Sequence, residues 1–256
     1  MSPRPTEPPP HRRRDLTGSE RGAIVAAVGP LTDDLAVVVR DGRGVEFQRF
    51  EFLGDSVLDV VLTVHRVVEP GCPACRAVRG DVARVVTDHQ LAERAAELGI
   101  GAWLEWEASP QRLADLIETC VAAVWFHGGW EQVAHFAGHV VHPLGQPATD
   151  ALLRGDLLAT PEEIRPERRL GAALLELAAG HRVYQQEPTA DEGELSRRRA
   201  DLHRIARVAD YARRTTATNG EIADAALSDQ VEAGLAQLLL REGADRALAA
   251  ASLVFD

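Results

Sequence analysis

The run Gln48-Arg49-Phe50-Glu51-Phe52-Leu53-Gly54-Asp55-Ser56-Val57-Leu58-Asp59 constrains this chain more than any other stretch. At helical period Glu51, Asp55 and Asp59 stand at i, i+4 and i+8, which places three carboxylates in one stripe. Around them Phe50, Phe52, Leu53, Val57, Leu58, Val60 and Val61 are apolar. A helix apolar on nearly every side is a buried helix. An acid in such a helix is costly unless something compensates its charge. No basic residue stands at i+3 or i+4 from Glu51 or Asp55. A divalent cation is the simplest compensation, and a hard cation such as Mg²⁺ takes oxygen ligands.

A second stretch repeats the theme. Asp115 and Glu118 stand at i and i+3, and the residues after them are apolar or small until Gly128-Gly129. Glycines at that point predict the end of a helix. Two buried helices, each with a carboxylate pair on one face, can converge on one metal cluster. The plain alternative is a pair of first-turn acids favoured by the helix dipole. It suits Asp115 better than Glu118, and suits Asp55 badly, because Asp55 lies in the middle of its apolar run.

At these residues the chain resembles the ribonuclease III family. Glu51-Phe52-Leu53-Gly54-Asp55-Ser56-Val57-Leu58 resembles that family's signature helix. Asp115-x-x-Glu118, followed by Ala123, Trp125, Phe126 and Gly129, resembles its second acidic helix. The long first motif is specific; the Asp-x-x-Glu pair acquires weight from its order and separation after it. The resemblance implies an all-α fold. It also implies that Glu51, Asp55, Asp115 and Glu118 are the catalytic and metal-binding residues, holding Mg²⁺, with Mn²⁺ as a substitute.

The 256 residues suffice for two domains of ordinary size. Aromatics make up only 5% of the chain, and Ala, Leu and Val fill the apolar positions, which favours helix packing over a β-sandwich. The formal net charge of −11 has the wrong sign for a nucleic-acid binder, so binding must be local to a basic surface, lean on metal ions, or be weak. Every basic residue is Arg. Cys72, Cys75 and Cys120 make no disulfide framework. Cys72-Pro73-Ala74-Cys75 lacks the second Cys pair of a zinc site and reads as a tight loop. With no apolar leader and no run near the ~18 residues of a membrane span, the expectation is a cytoplasmic protein without membrane contact.

Residues 1–16 are Pro-rich, then basic, and read as a disordered tail. The first acidic helix is expected from about Phe47 to Val68, with later helices near 81–98, 111–126 and 130–141. Residues 142–147 look like a linker, and beyond it the chain echoes itself. Leu170-Gly171-Ala172-Ala173-Leu174-Leu175-Glu176 echoes Leu53 to Asp59 at an offset of 117, and Asp229-x-x-Glu232 echoes Asp115-x-x-Glu118 at an offset of 114. Two motifs in one order at nearly one offset argue for a duplicated domain. The expected organisation is a tail (1–16), a ribonuclease III-like domain with an intact acidic site (17–143) and a degenerate one (144–256). Together they would form an intramolecular pseudo-dimer.

The copies have diverged. In the second, Arg168 stands where Glu51 would be and Ala172 where Asp55 would be. Such a site should not hold a catalytic Mg²⁺. Asp229 and Glu232 read there as first-turn acids after Ser228, and Thr189-x-x-Glu192 reads as a capping box. In the first copy Gln48 and Arg79 replace peripheral acids of the family pattern. The resemblance implies a metal-dependent endoribonuclease that hydrolyses double-stranded or hairpin RNA to 5′-phosphate products, with no DNA substrate. One intact site implies nicking of one strand per encounter. The length left after the second copy implies no double-stranded RNA-binding domain. The rival reading is a weak or inactive RNA-binding or assembly scaffold. Against it stand the four carboxylates kept in apolar settings.

Overall fold

An α-helix that is apolar on every side needs neighbours on every side, and the helix carrying Glu51 has them. The structure is a computed structural model that describes residues 17–68, 88–104, 108–140, 150, 151, 153, 154, 168–215 and 222–256. The tail, the Cys72–Cys75 loop, Arg79 and the expected linker lie outside the described residues. The helices are α1 (Gly18–Val28), α2 (Asp33–Asp41), α3 (Val45–Val68), α4 (Asp88–Glu97), α5 (Pro110–Val140), α6 (Arg168–Gln186), α7 (Glu192–Leu202), α8 (Ile205–Thr215), α9 (Asp224–Glu242) and α10 (Ala244–Ser252). A 3-10 turn, Leu253–Phe255, follows them. Among the described residues there is no strand, as expected of an all-α chain. No single helix among them is long and apolar enough to cross a membrane.

Helix α3 lies at the centre. Phe50, Phe52, Leu53, Val57, Leu58, Val60, Val61 and Val64 are each 5% exposed or less. It packs most extensively on α5, then on α6 and α7. Helix α5 breaks at Gly129, whose φ of 63° suits glycine, so the Gly128-Gly129 pair does divide it into two helical arms. Cys120 is buried in the first arm, and burial pushes its thiol above the ordinary range, so it serves as a small apolar packing residue. The apolar residues of both halves join in one continuous core: Leu53, Leu58, Leu116 and Ile117 belong to the same cluster as Leu170, Leu174, Leu175 and Leu239.

One close approach occurs twice. A Cβ on Gly54 of α3 would run into the main-chain carbonyl of Glu118 on α5. A Cβ on Gly171 of α6 would run into the main-chain carbonyl of Glu232 on α9. The echo between Leu53-Gly54 and Leu170-Gly171 is thus an echo of backbone contact. In each pair the absent side chain lets two helices meet backbone to backbone beside an acid.

The halves are also joined by polar contacts. Arg49 of α3 is buried, and its guanidinium donates to the main-chain oxygens of Tyr184 (2.8 Å), Glu187 and Ala190 (3.4 Å). These carbonyls gather at and beyond the C-terminal end of α6, where a cation is favoured by the helix dipole. The guanidinium also lies 4.2 Å from the centroid of the Tyr184 ring. Arg49→Ala would leave these acceptors short of a donor, and we expect it to destabilise the fold by about 3 kcal/mol. Urea unfolding monitored by circular dichroism measures the difference. Deeper in the junction Arg169 of α6 pairs with Asp59 at 2.5 Å and with Glu176 at 3.9 Å.

Candidate metal centre

The local sequence sets each acid in place. Glu51 and Asp55 sit one turn apart on α3, and Asp115 and Glu118 one turn apart on α5. The bare backbone at Gly54 brings the two helices together beside Glu118. Glu51, Asp115 and Glu118 each present a carboxylate oxygen to one spot, all within 4.8 Å of one another. Asp115 is buried, and Glu51 and Glu118 are partly buried. Asp115 accepts a hydrogen bond from Gln111 Nε2 at 3.0 Å and pairs with Arg112 at 3.3 Å. These contacts fix one carboxylate from its own helix. Because α5 starts at Pro110, Asp115 lies beyond its first turn, so the first-turn dipole explanation does not account for it.

The fourth predicted acid, Asp55, is not one of that close group of three. It stands at the α3–α6–α7 junction, where the charges of Arg199, Glu176 and Arg169 act on it. Asp55 is solvent-accessible yet crowded, and loss of solvent around its carboxyl raises its pKa against the attraction of Arg199. Asp59, deeper in the same junction, is pushed up to about 6 by burial, opposed by its Arg169 partner.

One further acid reaches the site from the other half. Asp191, not Thr189, caps α7, accepting from the Glu194 amide at 2.8 Å. Glu192 is therefore released from the expected capping box. Its carboxyl is raised by burial first, then by the charges of Asp115 and Asp55, which it therefore feels across the junction. In the sequence this residue fell within the Thr189-x-x-Glu192 pattern, and that capping pattern hid it.

Burial, then repulsion from Asp115 and Glu192, pushes Glu51 from its ordinary 4.5 to about 7. The folded, metal-free chain therefore holds this proton more tightly than the unfolded chain does. The stability that this adds is full below about 4.5 and is lost as pH rises through about 7. A divalent cation competes with that proton. Mn²⁺ affinity should accordingly climb as pH passes upward through about 7. In Glu51→Gln that part of the climb should vanish; calorimetric titrations on either side of neutrality check it.

The corresponding place on α6 and α9 is built differently. Arg168 makes an ion pair with Asp229. Glu232 is held by the Ser228 hydroxyl at 3.2 Å, and burial raises its pKa. Helix α9 begins at Asp224, so Asp229 and Glu232 are interior residues and not the first-turn acids expected after Ser228. A guanidinium stands here where the first copy gathers acids.

No family model matches the chain. Ribonuclease 3 of Symbiobacterium thermophilum is 35% identical over 135 residues, covering 49% of this chain and 56% of that protein. Ribonuclease 3 of Heliobacterium modesticaldum is 35% identical over 120 residues, covering 43% and 50%. Over these stretches the chain is similar to proteins named ribonuclease 3. It spans about half the length of these curated relatives. Among solved structures, Dicer from Giardia intestinalis superposes with a TM-score of 0.57 at 14% identity, covering 79% of this chain and 54% of that one. A second Giardia Dicer structure gives a TM-score of 0.58 at 13% identity, covering 79% and 53%. These likenesses place the chain in the same helical fold over most of its length.

Proposed function

We propose that this chain is a cytoplasmic, metal-dependent endoribonuclease of the ribonuclease III type that cuts double-stranded RNA at one centre, in its first copy. The observation that carries the reading is the convergence of Glu51, Asp115 and Glu118 from two helices on a spot that a cation would fill. Three oxygen donors of −1 charge, with Asp55 and Glu192 close by, suit a hard divalent ion, Mg²⁺ or Mn²⁺. When bound, such an ion activates water, clamps the scissile phosphate and stabilises the leaving oxygen.

The protein's own residues have separable tasks in this reading. Glu51 and Glu118 hold the ion with Asp115, whose orientation is kept by Gln111 and Arg112. Asp55, one turn beyond Glu51, flanks these three and would add its charge to the metal site. The second copy, residues 144–256, completes a pseudo-dimeric valley for the duplex. Its own centre is closed by the Arg168–Asp229 pair. Duplex RNA would be read by shape, phosphates and 2′-hydroxyls, and the products would carry a 5′ phosphate and a 3′ hydroxyl. Incubation of a perfectly paired RNA with Mg²⁺ tests the proposal, with EDTA and single-stranded RNA as controls. Mg²⁺-dependent cuts in the duplex support it. An RNA–protein complex with the duplex left whole supports the scaffold reading.

A further inference from the structure

The mechanism above leaves one guanidinium beside the site without a task. Arg199 of α7 crosses from the second half to α3. One of its terminal nitrogens donates to Ser56 Oγ at 2.7 Å, and its guanidinium carbon lies 4.9 Å from the centroid of the Phe52 ring. Its stem runs beside Gly180 of α6. Both contacts on α3 adjoin site acids in sequence: Phe52 follows Glu51, and Ser56 follows Asp55. On its own helix Arg199 stands seven residues after Glu192, so the two share a face two turns apart. The face of α7 that Arg199 presses on α3 is thus the face that turns Glu192 toward Asp115 and Asp55.

We propose that Arg199 is a positioning residue for the carboxylate centre: by clasping Ser56 and Phe52 it sets Asp55 and Glu192 against the Glu51–Asp115–Glu118 group. The inference rests on the proposed metal centre and deepens it. The first centre is then composite, with its geometry held from the second half. The clasp needs a planar fork that stacks and donates at once, which Arg supplies and Lys does not. The attraction of Arg199 for both Asp55 and Glu192 agrees with a place between them.

Two effects of removing Arg199 have opposite signs, and this makes the test decisive. Loss of a nearby cation alone tightens Mn²⁺ binding, whereas loss of carboxylate positions weakens it. Calorimetric titration with Mn²⁺ alone would compare the wild type, Arg199→Met, Arg199→Lys, Ser56→Ala and Ser56→Ala/Arg199→Met, well below their melting temperatures. We expect Arg199→Met to weaken Mn²⁺ binding by about 10-fold, the size usual for groups that orient metal ligands. Ser56→Ala should weaken it in the same direction with all charges kept, and Arg199→Lys should recover little. The double variant should be no worse than Arg199→Met, since both substitutions break one clasp. Unchanged or tighter binding in Arg199→Met overturns the proposal, as does additivity in the double variant. If Arg199→Met does not fold, Ser56→Ala and Arg199→Lys carry the same comparison. Failure of the wild type to bind Mn²⁺ would overturn both this inference and the centre beneath it. Mn²⁺ binding without RNA cleavage would overturn only the proposed function.

Discussion

Glu118→Gln is expected to abolish duplex RNA cleavage, lowering it by roughly 1,000-fold or more, because one of three converging charges is lost where the metal would sit. Gln has the size and shape of Glu, so the packing of α5 on α3 is kept. Removal of one charge also relieves repulsion among Glu51, Asp115 and Glu118, whose oxygens lie within 4.8 Å of one another. The metal-free variant should therefore melt no lower than the wild type, and we expect it to melt slightly higher. Lost activity with kept or raised stability is the mark of residues retained at a cost to the fold. Cleavage assays with Mg²⁺ and thermal melts of the same sample check both halves of the prediction. A variant that melts lower and still cuts would assign Glu118 to structure alone.

Gly54→Ala should show the opposite pattern. In the interior of an isolated helix this change is favourable by ~1 kcal/mol. Here the added methyl meets the main-chain carbonyl of Glu118, a rigid group that cannot turn aside. The helices must separate, and the core built around Leu53, Leu58, Leu116 and Ile117 must loosen with them. We expect a loss of about 4 kcal/mol or more, with a fall in Tm of about 10 °C. Gly171→Ala meets the carbonyl of Glu232 in the same way and should cost a similar amount. Thermal melts of the two variants check this. Equal losses at both positions would establish that the duplicated motif encodes a duplicated packing contact. If either protein melts like the wild type, the close approach at that glycine is wrong.

Much of this architecture was legible in the chain. The unbroken apolar surroundings of Glu51 and Asp55 required a central helix, and α3 is that helix. Gly128-Gly129 announced the break in α5, because only a residue free of a Cβ takes φ of 63° with ease. The Leu-Gly echo was legible as a repeated motif, but the close backbone approach at both glycines became visible only in the structure. Distances between helices were less legible. Helical period placed Asp55 in one stripe with Glu51, but the crossing of α3 and α5 decides which acids meet across it, and Asp55 falls outside the closest three. Arg49 gave no signal at all, because its acceptors are main-chain oxygens 135 to 141 residues away. Glu192 was concealed by a local pattern: Thr189 and Asp191 both suit an N-cap, and tertiary packing chose Asp191. The start of α9 was missed for a similar reason, as Ala223 caps it without any side-chain hydrogen bond.

The most direct measurement is cleavage of a perfectly paired RNA carrying a different label on each strand, with Mg²⁺ present and products resolved with and without denaturation. One competent centre predicts nicks that fall in either strand, one per encounter, with duplexes held whole until denatured. Substitution of Glu118 should remove the nicks in both strands together. Paired cuts released at once from single encounters would contradict the account, for they require a second working centre at Arg168 and Asp229. A duplex bound yet uncut at saturating Mg²⁺ would contradict it more deeply, since the acids gathered from α3 and α5 would then have no chemistry to perform.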